Sequence, residues 1–135
     1  MNKSNYETFE SIDKVATRYY NDSGYCGVIG VAVVAGVGYG KAYHALRRAG
    51  RIHGKGVNKV QIVQALSELG YSVKRTFSYN GRQIKTMGRR LPSRHHLVFF
   101  KSHVAAVREG QVMDWTAGRA HKVKDVWTIH HYDTL

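Results

Sequence analysis

A single cysteine, Cys26, and a single proline, Pro92, stand in 135 residues. One cysteine excludes a disulfide within the chain and leaves no cysteine framework for a structural zinc. Acidic residues are also scarce, nine against 21 lysines and arginines, for a net charge of +12 and an isoelectric point of about 10.0. The longest apolar run, Gly27 to Gly38, spans 12 residues, whereas a membrane-crossing helix needs about 20. The opening stretch, Met1-Asn2-Lys3-Ser4-Asn5-Tyr6-Glu7, lacks the apolar centre of a signal peptide. Internal repeats, low-complexity segments and linkers are absent. The expectation is one domain over residues 1–135 with residues 1–6 frayed. It has no membrane partner and resides in a reducing cytoplasm.

What the chain has in excess is positive charge. No acidic residue lies between Glu68 and Glu109, while Lys74, Arg75, Arg82, Lys85, Arg89, Arg90, Arg94, Lys101 and Arg108 fall in that interval. Such a region can recruit a nucleic acid or another polyanion, or serve only as a solvated surface. Arg89, Arg90 and Arg94 are the candidate anion-binding residues.

The first half reads as helices. Phe9, Ile12, Val15, Ala16 and Tyr19 recur at helical spacing within Glu7–Tyr20. Gly24 to about Val37 is apolar all round, which predicts a helix buried on every side; a buried strand is the alternative that periodicity leaves open. Gly36 to Gly40 should stop this element. Lys41 to Ala49 gives a short helix with Ala42, Ala45, Leu46 and Ala49 inward. Asn58 can cap a helix over Lys59–Leu69 that buries Ile62, Val63, Leu66 and Leu69 and stops at Gly70.

The second half changes period. Strands are expected over 71–77, 96–101, 102–108, 111–115 and in one or two segments of 122–132, with a turn at Asn80-Gly81 and an ambiguous basic stretch at 83–90. Helices first and strands later predict an α+β domain, N-terminal helices packed on a C-terminal antiparallel sheet.

The chemistry centres on Asn21-Asp22-Ser23-Gly24-Tyr25-Cys26-Gly27. Asp22 or Ser23 can cap the buried helix, which places Cys26 in its first turn. There the helix dipole favours a thiolate, the setting of a cysteine nucleophile; a small buried hydrophobe is the plainer role of a lone cysteine. If Glu109-Gly110 is a two-residue hairpin loop, Arg108 faces Gln111 and Ala105 faces Asp114. Alternation then puts His103 and Asp114 on one face, diagonal neighbours about 7 Å apart at the backbone. A carboxylate beside an imidazole fixes its tautomer and stabilises its charged form.

This order resembles the papain-like cysteine peptidase superfamily: cysteine at the start of a buried helix, histidine on a later strand, Asp or Asn on the next. Asn-Asp-x-Gly-x-Cys-Gly around Cys26 and His-Val-x-Ala-Val-x-x-Gly-x-Val-x-Asp-Trp from His103 are similar to small phage-encoded members. The resemblance covers roughly residues 19 to 116. It implies a papain-like fold with Cys26 as nucleophile, His103 as base and Asp114 as the orienting carboxylate. A host cytoplasm follows if the chain is phage-encoded. Papain carries an oxyanion-stabilising glutamine six residues before its cysteine, where this chain has Tyr20. Asn21 or Asp22 is the substitute, Asn21 being the better donor because an amide donates and a carboxylate does not.

The expected activity is thiol hydrolysis of a peptide or protein substrate through a thioacyl-enzyme, with acyl transfer if an amine replaces water. The rival is a basic nucleic-acid- or protein-binding module without catalysis. No cofactor is expected. The pairs His95-His96 and His130-His131 point to opposite faces of strands and have no HExxH or CxxC companion, so no metal site is expected either. His44, His53 and His121 read as solvated. Lys41 follows glycines, but Ala35 and Ala42 occupy the positions where a phosphate-binding loop needs glycine and a hydroxyl.

Overall fold

Nine consecutive residues, Gly27 to Ala35, are buried in a ten-residue helix, and the remaining elements pack around them. The structure is a computed structural model that describes residues 9–76, 81–87, 95–114 and 116–131. Four helices come first: α1 (Phe9–Arg18), α2 (Cys26–Ala35), α3 (Tyr39–Arg48) and α4 (Lys59–Glu68). Five strands follow: β1 (Tyr71–Thr76), β2 (His95–Phe100), β3 (His103–Arg108), β4 (Gln111–Met113) and β5 (Asp125–His131), in the sheet order β1-β5-β2-β3-β4. Every pairing is antiparallel. The architecture is α+β, with helices preceding the sheet. Among the described residues no single helix is long and apolar enough to cross a membrane.

The 24–37 segment is a helix, not a strand, and it lies between the other helices and the sheet, chiefly against β3. Two glycines permit this. A Cβ on Gly30 would come within 3.1 Å of Leu97, and one on Gly27 within 2.1 Å of Val57 Cγ2. At its C-terminus, Gly36 adopts φ +66° while the Gly36 and Val37 amides bond back to Val33 and Ala32, a left-handed closure that suits glycine. Arg108 adds a charge there, its Nη1 donating to the Val33 carbonyl at 2.9 Å, where the helix dipole favours a cation.

Several sequence expectations are corrected. Neither Asp22 nor Ser23 caps α2: the N-cap residue is Tyr25, with no side-chain capping bond. Gly24, at φ +60°, turns the chain between them and the helix, and the Asp22 carboxylate bonds elsewhere. Tyr19 is 81% exposed, because α1 has ended and Tyr20 takes over the inward packing, its ring centroid 5.0 Å from Tyr39 and 4.9 Å from Tyr43. Tyr39 lies inside α3 and is buried, whereas Val63 on α4 is 39% exposed. Asn58 does cap α4, in a reciprocal box with Gln61: the Gln61 amide reaches Asn58 Oδ1 at 2.8 Å and the Asn58 amide reaches Gln61 Oε1 at 3.0 Å.

The sheet separates two apolar clusters. Leu97, Phe99, Val104, Ala106, Trp127 and Ile129 face the helices. Val98, Val107 and Val126 face Ile84, Met87 and Val123 on the other side. Among the described residues of the ambiguous 83–90 stretch, 83–87, lies a 3-10 turn, Ile84–Thr86, tied to the rest by a bridge between Gln83 and Lys122. Phe77, Tyr79, Asn80 and Trp115 lie outside the described residues.

Candidate active site

Cys26 is the first residue of α2 and is half-buried. His103 is the first residue of β3, and Asp114 follows the last residue of β4. The β3–β4 register pairs Arg108 with Gln111, Val107 with Val112 and Ala106 with Met113, the register of a two-residue loop. Glu109 and Gly110 both have positive φ, 50° and 80°, as a tight twisted hairpin requires. Alternation carries His103 and Asp114 to the same side, and His103 Nε2 sits 2.8 Å from Asp114 Oδ2. The imidazole also lies close enough to Cys26 for each to shift the other's pKa; with Nε2 on the carboxylate, Nδ1 is the nitrogen left for the thiol. Because the site lies at the end of the sheet, one ring reaches both the helix that packs on one face and the carboxylate that alternation assigns to the other.

The three groups shift one another. Burial works to raise the Cys26 pKa. It is outweighed by the hydrogen bond from His103, the backbone bond from Val104 and the His103 charge, so the thiol falls below its ordinary range while Asp114 opposes this. Burial works to lower the His103 pKa. It is outweighed by the bonds to Asp114 and Cys26 and by their charges, and the imidazole is pushed up to about 9. Thiol down and imidazole up are both shifts toward a thiolate–imidazolium pair. The Phe100 ring lies parallel to His103 within 8°, with centroids 5.7 Å apart, and limits how far the imidazole can turn.

Two further residues belong to the site, and neither was foreseen from the sequence. Thr116, 1% exposed, donates to Asp114 Oδ2 from its hydroxyl at 2.6 Å and from its amide at 3.1 Å. A threonine two residues after an aspartate is the signal of an Asx-type turn. Arg51, 4% exposed, holds Asp22 with Nη1 to Oδ2 at 2.9 Å and Nη2 to Oδ1 at 3.0 Å. Nothing in a loop 29 residues away in sequence announces that pairing.

The comparisons with known proteins are negative. The chain matches no family model, no curated protein and no solved structure.

The residues expected from the sequence to bind an oxyanion are placed differently from Cys26, His103 and Asp114. The Asp22 carboxylate accepts from Tyr39 Oη, both Arg51 Nη atoms and the amides of Ser23 and Gly54. Burial would raise its pKa, but the bonds from Arg51, Tyr39 and Gly54 hold it down at about 2. An ionised carboxylate is an acceptor only, so Asp22 organises the segment before Cys26 and donates nothing to a reacting carbonyl. Asn21 is exposed, and its main-chain carbonyl meets His53 Nε2 at 3.2 Å. His53 is exposed, as expected, while its Nδ1 lies 2.8 Å from Tyr43 Oη. The α2 amides at Cys26, Gly27 and Val28 precede the first intrahelical bond, from Ile29 to Tyr25, and meet no capping side chain.

Arg89, Arg90 and Arg94 lie outside the described residues. Of the same interval, Lys74 and Lys101 are exposed, and Arg75 bonds Asp125 at 3.0 Å. Among the described residues no group of three or more His, Cys, Asp or Glu side chains is arranged to hold a metal ion.

Proposed function

We propose that this protein is a cysteine hydrolase on a papain-like fold, a peptidase or isopeptidase acting through Cys26, His103 and Asp114. The observation that carries the reading is the alignment of the thiol with an imidazole that shares its cavities and shifts its pKa, and of that imidazole with a carboxylate itself fixed by Thr116. Buried structural cysteines have raised pKa values; this one is lowered despite burial.

The geometry supports the following sequence. The Cys26 thiolate attacks the substrate carbonyl carbon, and the carbonyl π electrons move to oxygen. The Cys26 backbone amide, at the uncapped start of α2, donates to that oxyanion. His103 passes its proton to the leaving nitrogen as the C–N bond breaks, which leaves a thioester and a neutral imidazole. His103 then takes a proton from water, hydroxide adds to the thioester, and thiolate departs with the imidazolium restored. If an amine replaces water at the second stage, the product is a new amide.

The test needs no knowledge of the substrate. The rate of Cys26 alkylation by iodoacetamide, followed across pH, should rise at a lower pH than that of an ordinary cysteine and stay high above it. A profile that rises only with the ordinary cysteine pKa of about 8.5 would sink the proposal. Cys26→Ala should remove any peptide hydrolysis while the folded structure persists, since only the sulfur is lost.

A further inference from the structure

Two cavities share Cys26 and His103 and differ in the sign of their other charged lining residues. One, of about 380 Å³, is lined by Cys26 and His103 together with Val57, Phe99, Phe100 and Lys59. Among the described residues no carboxylate lines it. The other, of about 260 Å³, is lined by the same Cys26 and His103 with Tyr25, Ile29, Asp13 and Asp114. Among the described residues no lysine or arginine lines that one.

Each charge is held in place. Lys59 is the first residue of α4, where the helix dipole adds positive potential, and its side chain stays 46% exposed. Its ammonium stands 4.8 Å from the Phe99 ring centroid and 3.0 Å from Asp125 Oδ2. Asp125 is almost fully buried and also accepts from Arg75 and the Trp127 indole, so it anchors the lysine from behind. Across the thiol, Tyr25 Oη donates to Asp13 Oδ1 at 2.7 Å, which leaves Oδ2 for a second donor. A ligand group meeting either charge therefore finds it already oriented, and the entropy cost of binding falls.

Resting on the hydrolase reading above, we propose that the cleft is charge-polarised. Its substrate is a peptide with an acidic group on the α4 side of the scissile bond, against Lys59, and a basic group on the α1 side, against Asp13. The aromatic and aliphatic wall around Lys59 covers the stem of the acidic residue or its apolar neighbour.

The test is to map cleavage sites by mass spectrometry in a peptide mixture made by digesting a cell proteome. Acidic residues should be enriched about threefold on one side of the cut and Lys or Arg on the other, the scale of a half-exposed ion pair. Lys59→Gln should abolish the acidic enrichment alone, and Asp13→Asn the basic enrichment alone. These ratios are internal to each digest, so a variant that folds less well lowers all cuts together and does not mimic the effect. Cleavage without charge preference, or with both preferences intact in the two variants, overturns the polarised cleft and leaves the hydrolase standing. No cleavage by a protein whose Cys26 still reacts fast with iodoacetamide overturns the peptide substrate class. A Cys26 of ordinary thiol reactivity overturns the hydrolase reading beneath it.

Discussion

Replacing Asp114 by Asn keeps the shape of the site and removes one charge. In the wild type His103 titrates at about 9 against an ordinary 6.5, with Asp114 the strongest of the groups that raise it. The side chains are 15% and 5% exposed, so solvent screens the pair weakly. A charge-assisted hydrogen bond of this kind is worth about 1.5–3 kcal/mol, which corresponds to about one to two pH units. The alkaline limb of the hydrolysis profile should therefore move from about 9 to about 7–8. Asp114 opposes the Cys26 thiolate, so its removal does not drive the acid limb upward, and the active window narrows from the alkaline side. Hydrolysis at neutral pH should fall about ten- to hundredfold. The linkage to stability has the same origin. Because the folded pKa of His103 lies above its unfolded value, its contribution is complete below about 6.5 and is lost as pH rises through about 9; Asp114→Asn should flatten that loss. The measurements are the pH–rate profile and urea unfolding at pH 6 and pH 9.5. An alkaline limb that stays at about 9 in the variant would show that Asp114 does not tune His103.

Three other outcomes are expected. Gly27→Ala should destabilise by about 1–3 kcal/mol through overpacking, since its Cβ would meet Val57 Cγ2 at 2.1 Å; adding Val57→Ala should recover most of the loss, and additive costs in a double-mutant cycle would refute the contact. Asp22→Ala should cost about 3–5 kcal/mol, because Arg51 is left buried without its carboxylate, and urea unfolding reads it. In the wild type the depressed Asp22 pKa contributes about 2 kcal/mol above pH 3.8 that disappears as pH falls through about 2; an acid-unfolding profile identical to that of Asp22→Asn contradicts this. Labelled oligonucleotides should bind more weakly at about 200 mM than at about 50 mM salt if the 74–101 interval recruits a polyanion. Arg89→Ala, Arg90→Ala and Arg94→Ala together should weaken binding and flatten its salt dependence, and a flat anisotropy titration at both salts removes nucleic acid as a partner.

Local rules accounted for much of the architecture. Apolar residues with no polar face required α2 to be buried, and nine of its residues are. Glu109-Gly110 specified a two-residue loop, and the parity of two short strands then placed Asp114 beside His103. Asn58 and the apolar positions after it marked the start of α4. These features are carried by neighbours in the chain, where spacing and turn chemistry act directly.

The rest depends on partners distant in sequence. An aspartate before a helix looks like a cap, yet Asp22 bonds Arg51, 29 residues on, because a bidentate buried guanidinium outcompetes a helix amide. Tyr19 and Val63 fit an inward helical stripe, but the stripe does not reveal where the packed neighbour ends. The closeness of α2 to Val57 and Leu97 is set by two glycines whose role appears only when the facing side chains are in place. Residue order alone thus settled the class of fold and, given a two-residue loop, the hairpin that joins His103 to Asp114. Tertiary packing brought Cys26 to the imidazole, tied the Asp22 carboxylate to Arg51, and set Lys59 and Asp13 in different cavities that share Cys26, because each of those placements is fixed by contacts between segments that share no local pattern.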